Sequence, residues 1–276
     1  MVATTTTTTT NSNNTRTAKP FQMFMNPDYG SGMYRRRVRL QNLDANTVLA
    51  EMEDDQHGFR IRVVHDGNAI TAIQADALRI PMTTCGGASA VLEKMVGVPL
   101  SDSPRSLAAH SNPRSHCTHQ FDLLSLAVTH ALRDEAERQY DIAIHDAQDG
   151  LQRVEGDING VNIFDWQLRD HTIQNAGFWQ GINVQKGFAQ WMEQQLADKQ
   201  LLAEQLELAL VVQRGMLVST TRRVLIPPMD GMGLLDDPMP KGVCYSYAEP
   251  AIHDAIRLGH NGRNFTDAPE QLLRFV

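Results

Sequence analysis

The sequence predicts an α+β protein built from two diverged repeats, each made of antiparallel strands followed by a short and a long helix. Three observations lead to this prediction. Short alternating runs typical of strands open each half of the chain, amphipathic segments typical of helices follow them, and the same order occurs twice. A unit of this kind buries its sheet face only by packing against a neighbour, so we expect the two repeats to share a core.

The amino-terminal residues differ in composition from the rest of the chain. The chain has 276 residues, of which 42% are hydrophobic and 21% charged, so most of it can form an ordinary core. Residues 4–10, in contrast, are all threonine, and residues 11–14 are asparagine and serine. Because this tract has almost no apolar surface to offset chain entropy, we expect residues 1–28 to be a disordered and dispensable tail.

The first repeat is predicted over residues 29–135 and is the one that carries the candidate site. Its elements are separated by turn signals such as Asp66-Gly67 and Gly97. The predicted strands cover residues 34–40, 47–52, 59–64 and 69–73, and the predicted helices cover residues 88–96 and 121–132.

The second repeat is predicted over residues 136–226. Gly156 to Gly160 are interpreted as a turn within it, and residues 227–276, with several glycines and prolines, as a loop-rich segment packed on the core. The predicted strands cover residues 140–145, 151–154, 161–168 and 172–173, and the predicted helices cover residues 188–196 and 199–218.

Charge and motif content exclude several classes of function. A net charge of −7 argues against a nucleic-acid partner. No apolar run reaches the ~18 residues of a membrane span, and three cysteines suit a reducing cytoplasm better than a disulfide scaffold. The chain has no glycine-rich phosphate loop, dinucleotide fingerprint or Gly-x-Ser-x-Gly elbow, so we expect no nucleotide cofactor. The oligomeric state stays open, since an oligomer is compatible with this composition.

The most informative motif is Cys117-Thr118-His119, where a polar loop meets the second predicted helix. Free N–H groups and the helix dipole at this position favour a thiolate. A thiol and an imidazole two residues apart can also reach one metal ion. A buried cysteine at a helix start is the alternative interpretation, and His116 is an alternative ligand to His119.

A second cluster, residues 53–57, forms the predicted tip of a hairpin. Its clustered carboxylates repel one another unless a cation or solvent screens their charges. The three-residue spacing of Asp54 and His57 allows their side chains to meet at a turn. We expect Asp54 and His57 to act as acid–base residues. We also expect His57, Cys117 and His119 to hold a divalent metal, zinc or iron, near Asp54. A polar hairpin loop is the alternative.

Four further residues complete the candidate site. Cys85 lies in a small-residue turn whose N–H groups can bind an oxyanion, so it is a candidate catalytic nucleophile, although a buried turn residue is the alternative. Arg60 and Arg79 are candidate substrate clamps for an anionic group, and equally candidate partners of the hairpin carboxylates. Tyr245, after Cys244, is a candidate substrate contact.

Several motifs in a fixed order resemble the bacterial family catalogued as domain of unknown function 2889. The chain departs from that family at Gly86, where proline is usual, and in residues 156–160, where Arg-Asp-Gly is frequent. The resemblance implies a cytoplasmic protein of bacteria that degrade aromatic or other small carbon compounds. The motifs that carry it are residues 32–37, 53–57, 79–85, 117–119, 242–245 and 264–266.

The expected function is that of a small-molecule catabolic enzyme. With nucleotide chemistry excluded, lyase or hydrolase chemistry remains. In a lyase, a metal polarises an oxygen while a carboxylate or imidazole moves a proton, which supports retro-aldol C–C cleavage or decarboxylation of an aromatic or related compound. In a hydrolase, the metal activates water. A lyase suits the catabolic setting slightly better, and a non-catalytic metal carrier or ligand-binding protein is the alternative from another class.

Overall fold

The computed structural model of the protein describes residues 18–198 and 202–275. These residues form an eight-stranded antiparallel sheet with the strand order β4-β3-β2-β1-β5-β6-β7-β8, and helices that follow the strands in each half. The strands are β1 (Met33–Asp44), β2 (Thr47–Asp54), β3 (Gly58–His65), β4 (Ile70–Arg79), β5 (Glu137–His145), β6 (Leu151–Ile158), β7 (Val161–Arg169) and β8 (Thr172–Ile173). The helices are α1 (Ala88–Leu92), α2 (Thr118–His130), α3 (Phe188–Ala197) and α4 (Ala203–Ser219).

The strand order confirms the predicted fold class. Each half contributes four strands, a short helix and a longer helix in the same sequence order. The two halves meet at the antiparallel pair β1–β5, and the order of strands is mirrored about this pair. Arg37 and Asp141 lie opposite each other in its register and form an ion pair of 2.6 Å. The repeats therefore share one continuous sheet rather than forming separate layers.

Alternation along the strands separates the face covered by the helices from the opposite face. On β1, Val38 and Leu40 are buried beneath the helices, whereas Arg37 and Arg39 lie on the other face. Arg36 breaks this pattern, because it is a charged residue on the buried face. A buried guanidinium needs a carboxylate partner, and this requirement locates the candidate site.

Helices α2 and α4 pack on the buried face of the sheet, α2 against β2 and β3 and α4 against β5. Gly215 permits the close approach of α4, since a Cβ at this position would lie 2.3 Å from Ile142 Cδ1. The carboxyl-terminal segment then runs across the start of α2, where the Tyr245 amide donates to the His116 carbonyl over 3.0 Å.

Two predicted boundaries change in the structure. The predicted tail ended at residue 28, but residues 18–28 contact the carboxyl-terminal segment: Lys19 pairs with Met232, and Met25 with Val224. Residues 1–17 lie outside the described part of the chain. Residues 156–158 belong to β6, so the turn between β6 and β7 is only Asn159-Gly160, where both residues have positive φ.

No helix among the described residues has the length and apolar character needed to cross a membrane.

Candidate functional site

The candidate site begins at the turn between β2 and β3. The Asp54 amide donates to the His57 carbonyl over 2.9 Å. Asp54 Oδ1 in turn accepts the amides of Gln56 and His57, each at 2.8 Å. Asp favours this arrangement because its short side chain can bond the backbone two and three residues ahead. The turn therefore holds His57 at a fixed position above the end of the sheet.

Asp54 also orients the imidazole of His57. Oδ1 lies 3.0 Å from His57 Nδ1. An ionised carboxylate can only accept a hydrogen bond, so Nδ1 carries the proton and donates it. The opposite ring nitrogen, Nε2, is then free to accept a proton from a substrate. Such a carboxylate–imidazole pair is the usual arrangement of a general base.

The second oxygen of Asp54 binds two residues of β1. Oδ2 accepts from the Tyr34 hydroxyl at 2.7 Å and from Arg36 Nη2 at 2.6 Å. Burial by itself would raise the pKa of Asp54, but the charges of His57 and Arg36 outweigh burial and hold the pKa well below its usual value. Asp54 is therefore a buried carboxylate that stays ionised.

His119, in the first turn of α2, completes the cluster. Its ring lies against that of His57 at a tilt of 31° with the centroids 4.1 Å apart, and Phe59 packs beside both rings at 5.9 and 6.2 Å. Burial lowers the pKa of His119 well below its usual value, and its closeness to His57 and Arg36 lowers it further. His119 is therefore neutral and offers a hydrogen bond rather than a charge.

The two histidines line a cavity of about 140 Å³ whose walls are mainly apolar. Four parts of the chain form it: the β2–β3 turn, the loop after β4, the start of α2 and the end of α4. The carboxyl-terminal segment closes it through Met239, Cys244 and Tyr247. At the ~30 Å³ that each water occupies in the liquid, a cavity of this size holds about five water molecules, so a small organic molecule fits.

The cysteines predicted in the site line this cavity but differ from their predicted roles. Cys117 is buried at the N-cap of α2, and burial raises the pKa of its thiol strongly. It lies outside the group of ligand atoms formed by Asp54, His57 and His119, so it does not supply the expected thiolate. Burial also raises the pKa of Cys85 to about 11, and its Sγ lies 3.3 Å from Ser246 Oγ. Cys85 is thus a neutral thiol, which is a poor nucleophile.

The predicted substrate clamps lie elsewhere. Arg60 lies on the face of the sheet opposite the helices and pairs with Glu51 over 2.7 Å. Arg79 is buried and donates to the carbonyls of Asp54, Asp55 and His57, so it holds the turn together instead of meeting a substrate. Tyr245 packs its hydroxyl against Gly87, where a Cβ would lie 2.8 Å from it. His116 bonds Ser111 over 2.8 Å and is likewise not part of the cluster.

Two arginines that the sequence interpretation missed do line the cavity. Arg214 projects from α4 and Arg257 from the carboxyl-terminal segment. Arg214 interrupts the apolar run of α4, which is a visible signal of a functional or paired charge. Arg257 has no such signal, because the loop-rich segment around it has no periodicity.

The predicted metal ligands are only partly brought together. One ligand atom each from Asp54, His57 and His119 lies within 4.8 Å of the others. However, each oxygen of Asp54 already accepts three hydrogen bonds, and His57 Nδ1 is bound to Asp54. His57 Nε2 and one nitrogen of His119 remain, fewer than the three protein ligands of an ordinary catalytic zinc. These residues fit an acid–base pair better than the predicted metal centre.

Comparison with known proteins agrees with the resemblance and adds no activity. No curated protein matches the chain. The family described as protein of unknown function (DUF2889) matches residues 36–133, a segment that includes Arg36, Asp54, His57 and His119 but neither Arg214 nor Arg257. Residues 36–133 thus match the family of proteins of unknown function that the sequence motifs resemble.

Proposed function

We propose that the protein is a small-molecule catabolic lyase in which His57 moves a proton, with Asp54 orienting it and His119 assisting it. The observation that carries the proposal is the Asp54–His57 hydrogen bond beside a mainly apolar cavity, with the ring of neutral His119 against that of His57. A buried dyad at the wall of a cavity is the arrangement expected of a general base.

Retro-aldol cleavage of a 3-hydroxycarbonyl compound is the reaction that these residues support best. His57 Nε2 accepts the proton of the substrate hydroxyl, the C–O double bond forms, and the adjacent C–C bond breaks. The electron pair passes to the substrate carbonyl as an enolate, which His119 stabilises through a hydrogen bond. The protonated His57 then returns the proton to the enolate carbon, so no external oxidant or reductant is needed.

The test is a panel of 3-hydroxycarbonyl and 3-oxo acids followed by NMR for loss of substrate and appearance of the cleaved carbonyl compound. We expect His57→Gln to lower kcat by at least about 100-fold, because general base catalysis contributes this much. Arg60→Gln, on the face of the sheet away from the cavity, is the control, and we expect it to keep the wild-type rate. If His57→Gln and His119→Gln both retained the full rate, the proposed function would be abandoned.

A metal-assisted form of the same enzyme, lyase or hydrolase, is the second candidate. It is supported by the three ligand atoms that lie within 4.8 Å of one another. A bound zinc or iron would supply polarisation of a substrate oxygen, with His57 and His119 holding the ion. Elemental analysis of the purified protein decides between the two forms, with Cys117→Ala as the control. A stoichiometric metal that is lost in His119→Ala would establish the metal-assisted form, whereas a metal without any turnover would indicate a metal carrier.

A further inference from the structure

The charges at the wall of the cavity are all of one sign. Among the lining residues that the structure describes, the charged ones are two arginines, Arg214 and Arg257, and none is an aspartate or glutamate. The carboxylates that pair with the arginines, Asp122 and Asp237, do not belong to the lining. Positive groups therefore face the cavity and their partners lie behind them.

Arg257 has an unused hydrogen-bond donor. Its side chain is 9% exposed, and Nη2 binds Asp237 at 2.5 Å and the Tyr247 hydroxyl at 3.3 Å. Nε is fully buried, and no acceptor among the residues that the structure describes reaches it. Nη1 is not enclosed in this way, and it has no hydrogen-bond partner among the described residues. Because Arg257 lines the cavity, an acceptor oxygen of a ligand can bind this donor.

The rest of the wall restricts the kind of anion. Met82, Met239 and the three cysteines offer soft, apolar surface, and burial keeps the cysteine thiols neutral. A dianion such as phosphate needs many donors to replace its hydration, and this wall does not supply them. A carboxylate needs fewer, because its single charge can be met by one guanidinium and a few hydrogen bonds.

We infer that the cavity binds the carboxylate form of a small apolar acid, with Arg257 as the residue that receives the carboxylate and selects for it. The inference rests on the proposed function only in taking this cavity as the substrate site. It restricts the substrates of the proposed lyase to 3-hydroxycarbonyl compounds that also carry a carboxylate on an apolar body.

Matched probes test the inference without any knowledge of the substrate. Benzoate and benzamide have nearly the same shape, as do hexanoate and hexanamide, and only one member of each pair is charged. Calorimetric titration of the wild-type protein at neutral pH should give a Kd at least about tenfold lower for each acid than for its amide. Equal binding of acid and amide, or no binding of either acid at millimolar concentration, would overturn the inference.

A paired variant tests the role of Arg257. Removing this arginine alone would leave Asp237 buried without a partner, so Arg257→Gln is combined with Asp237→Asn to keep the pair neutral. We expect the folded double variant to lose the preference for acids over amides. Arg60→Gln, on the opposite face of the sheet, is the matched control and should keep it. A folded double variant that still prefers the acids tenfold would refute the role of Arg257.

His57→Gln separates this inference from the proposed function. We expect His57→Gln to bind benzoate as the wild type does while losing turnover. Retained turnover with retained acid preference would contradict the proposed function and leave the carboxylate site intact. If His57→Gln lost turnover but the wild type bound acid and amide equally, the carboxylate site would be refuted and the proposed function would stand.

Discussion

Asp54 is the residue on which both the turn and the site depend. Its carboxylate accepts two backbone amides of the turn and, through Tyr34 and Arg36, is tied to β1. The same carboxylate fixes the tautomer of His57. Because it is fully buried, its interactions are little screened by water, and loss of the charge leaves Arg36 without a partner.

Asp54→Asn should therefore destabilise the protein by about 3 kcal/mol, as expected when one member of a buried ion pair is removed. Urea unfolding at neutral pH measures this change. Asp165→Asn is the matched control, because Asp165 pairs with Arg153 on the exposed face and should cost less than about 1 kcal/mol. Equal costs for the two variants would contradict the prediction.

Asp54 also gives a pH dependence of known sign. Its pKa in the folded state is depressed, so the stability that it contributes is present above its ordinary pKa and lost as the pH falls through the folded value. Its neighbour Asp55 behaves oppositely, because burial and the charge of Asp54 raise its pKa to about 7, despite Arg222 Nη1 at 3.5 Å.

Asp55 should destabilise the folded protein as the pH rises. Between its ordinary pKa of 3.8 and about 7, unfolding releases a proton from this carboxyl, so the free energy of unfolding falls with increasing pH. We expect Asp55→Asn to be more stable than the wild type at pH 8, by on the order of 2–4 kcal/mol, and to differ little from it near pH 4. Urea unfolding of both proteins across this range measures the difference. A difference that does not change with pH would show that Asp55 does not titrate in this window.

At the level of elements, strand register and helix packing bring the site together. The β1–β2 register places Arg36 opposite Asp54, and α2 delivers His119 to the ring of His57. Helix α4 closes the cavity at its end, and its position depends on close contact with β5 at Gly215.

Gly215→Ala tests this packing. In an open helix the change would stabilise by about 1 kcal/mol through helix propensity. Here the added Cβ would lie 2.3 Å from Ile142 Cδ1 and 3.2 Å from Tyr34 Cε1. Overpacking costs about 1–3 kcal/mol, so we expect a net loss of stability in thermal or urea unfolding. Gly86→Ala is the control, since nothing lies within 4 Å of a Cβ there. A more stable Gly215→Ala protein would show that α4 can move away from the sheet.

At the level of the whole molecule, the amino-terminal and carboxyl-terminal segments pack against distant parts of the chain. Phe21 and Phe24 pack on a cluster formed by Ile226, Met229 and Met232. The last residues return to the β2–β3 turn, where the Leu273 amide donates to Glu53 over 2.7 Å. These contacts join the amino-terminal and carboxyl-terminal segments to the shared sheet.

Removal of residues 1–28 should therefore lower Tm more than removal of residues 1–17 alone. Removal of residues 1–28 takes away Phe21 and Phe24, whose partial burial contributes on the order of 1–3 kcal/mol. We expect Tm to fall by about 5 °C relative to a protein that lacks only residues 1–17. Thermal unfolding followed by circular dichroism measures the two values. Equal Tm values would support the original prediction that the tail extends to residue 28.

Much of the fold follows from local pattern. Alternation within residues 34–40 and the turn residues that follow them predict β1 and β2, and apolar spacing predicts α2, because each of these signals lies within a few neighbouring residues. The order of elements, repeated in the two halves, likewise identified the fold class. The closeness of Asp54 and His57 is of the same kind, since a three-residue spacing at a turn brings the side chains together.

The remaining features depend on contacts between distant segments. Cys117 has the spacing of a metal ligand, but the packing of α2 buries its thiol. Arg60 and Arg79 lie in strands near the site in sequence, yet strand alternation and the turn carbonyls direct them elsewhere. Arg257 reaches the cavity only because the carboxyl-terminal segment folds over α2. Periodicity encodes which face of an element is buried, whereas the packing of separate elements decides which side chains meet, and no local pattern records that.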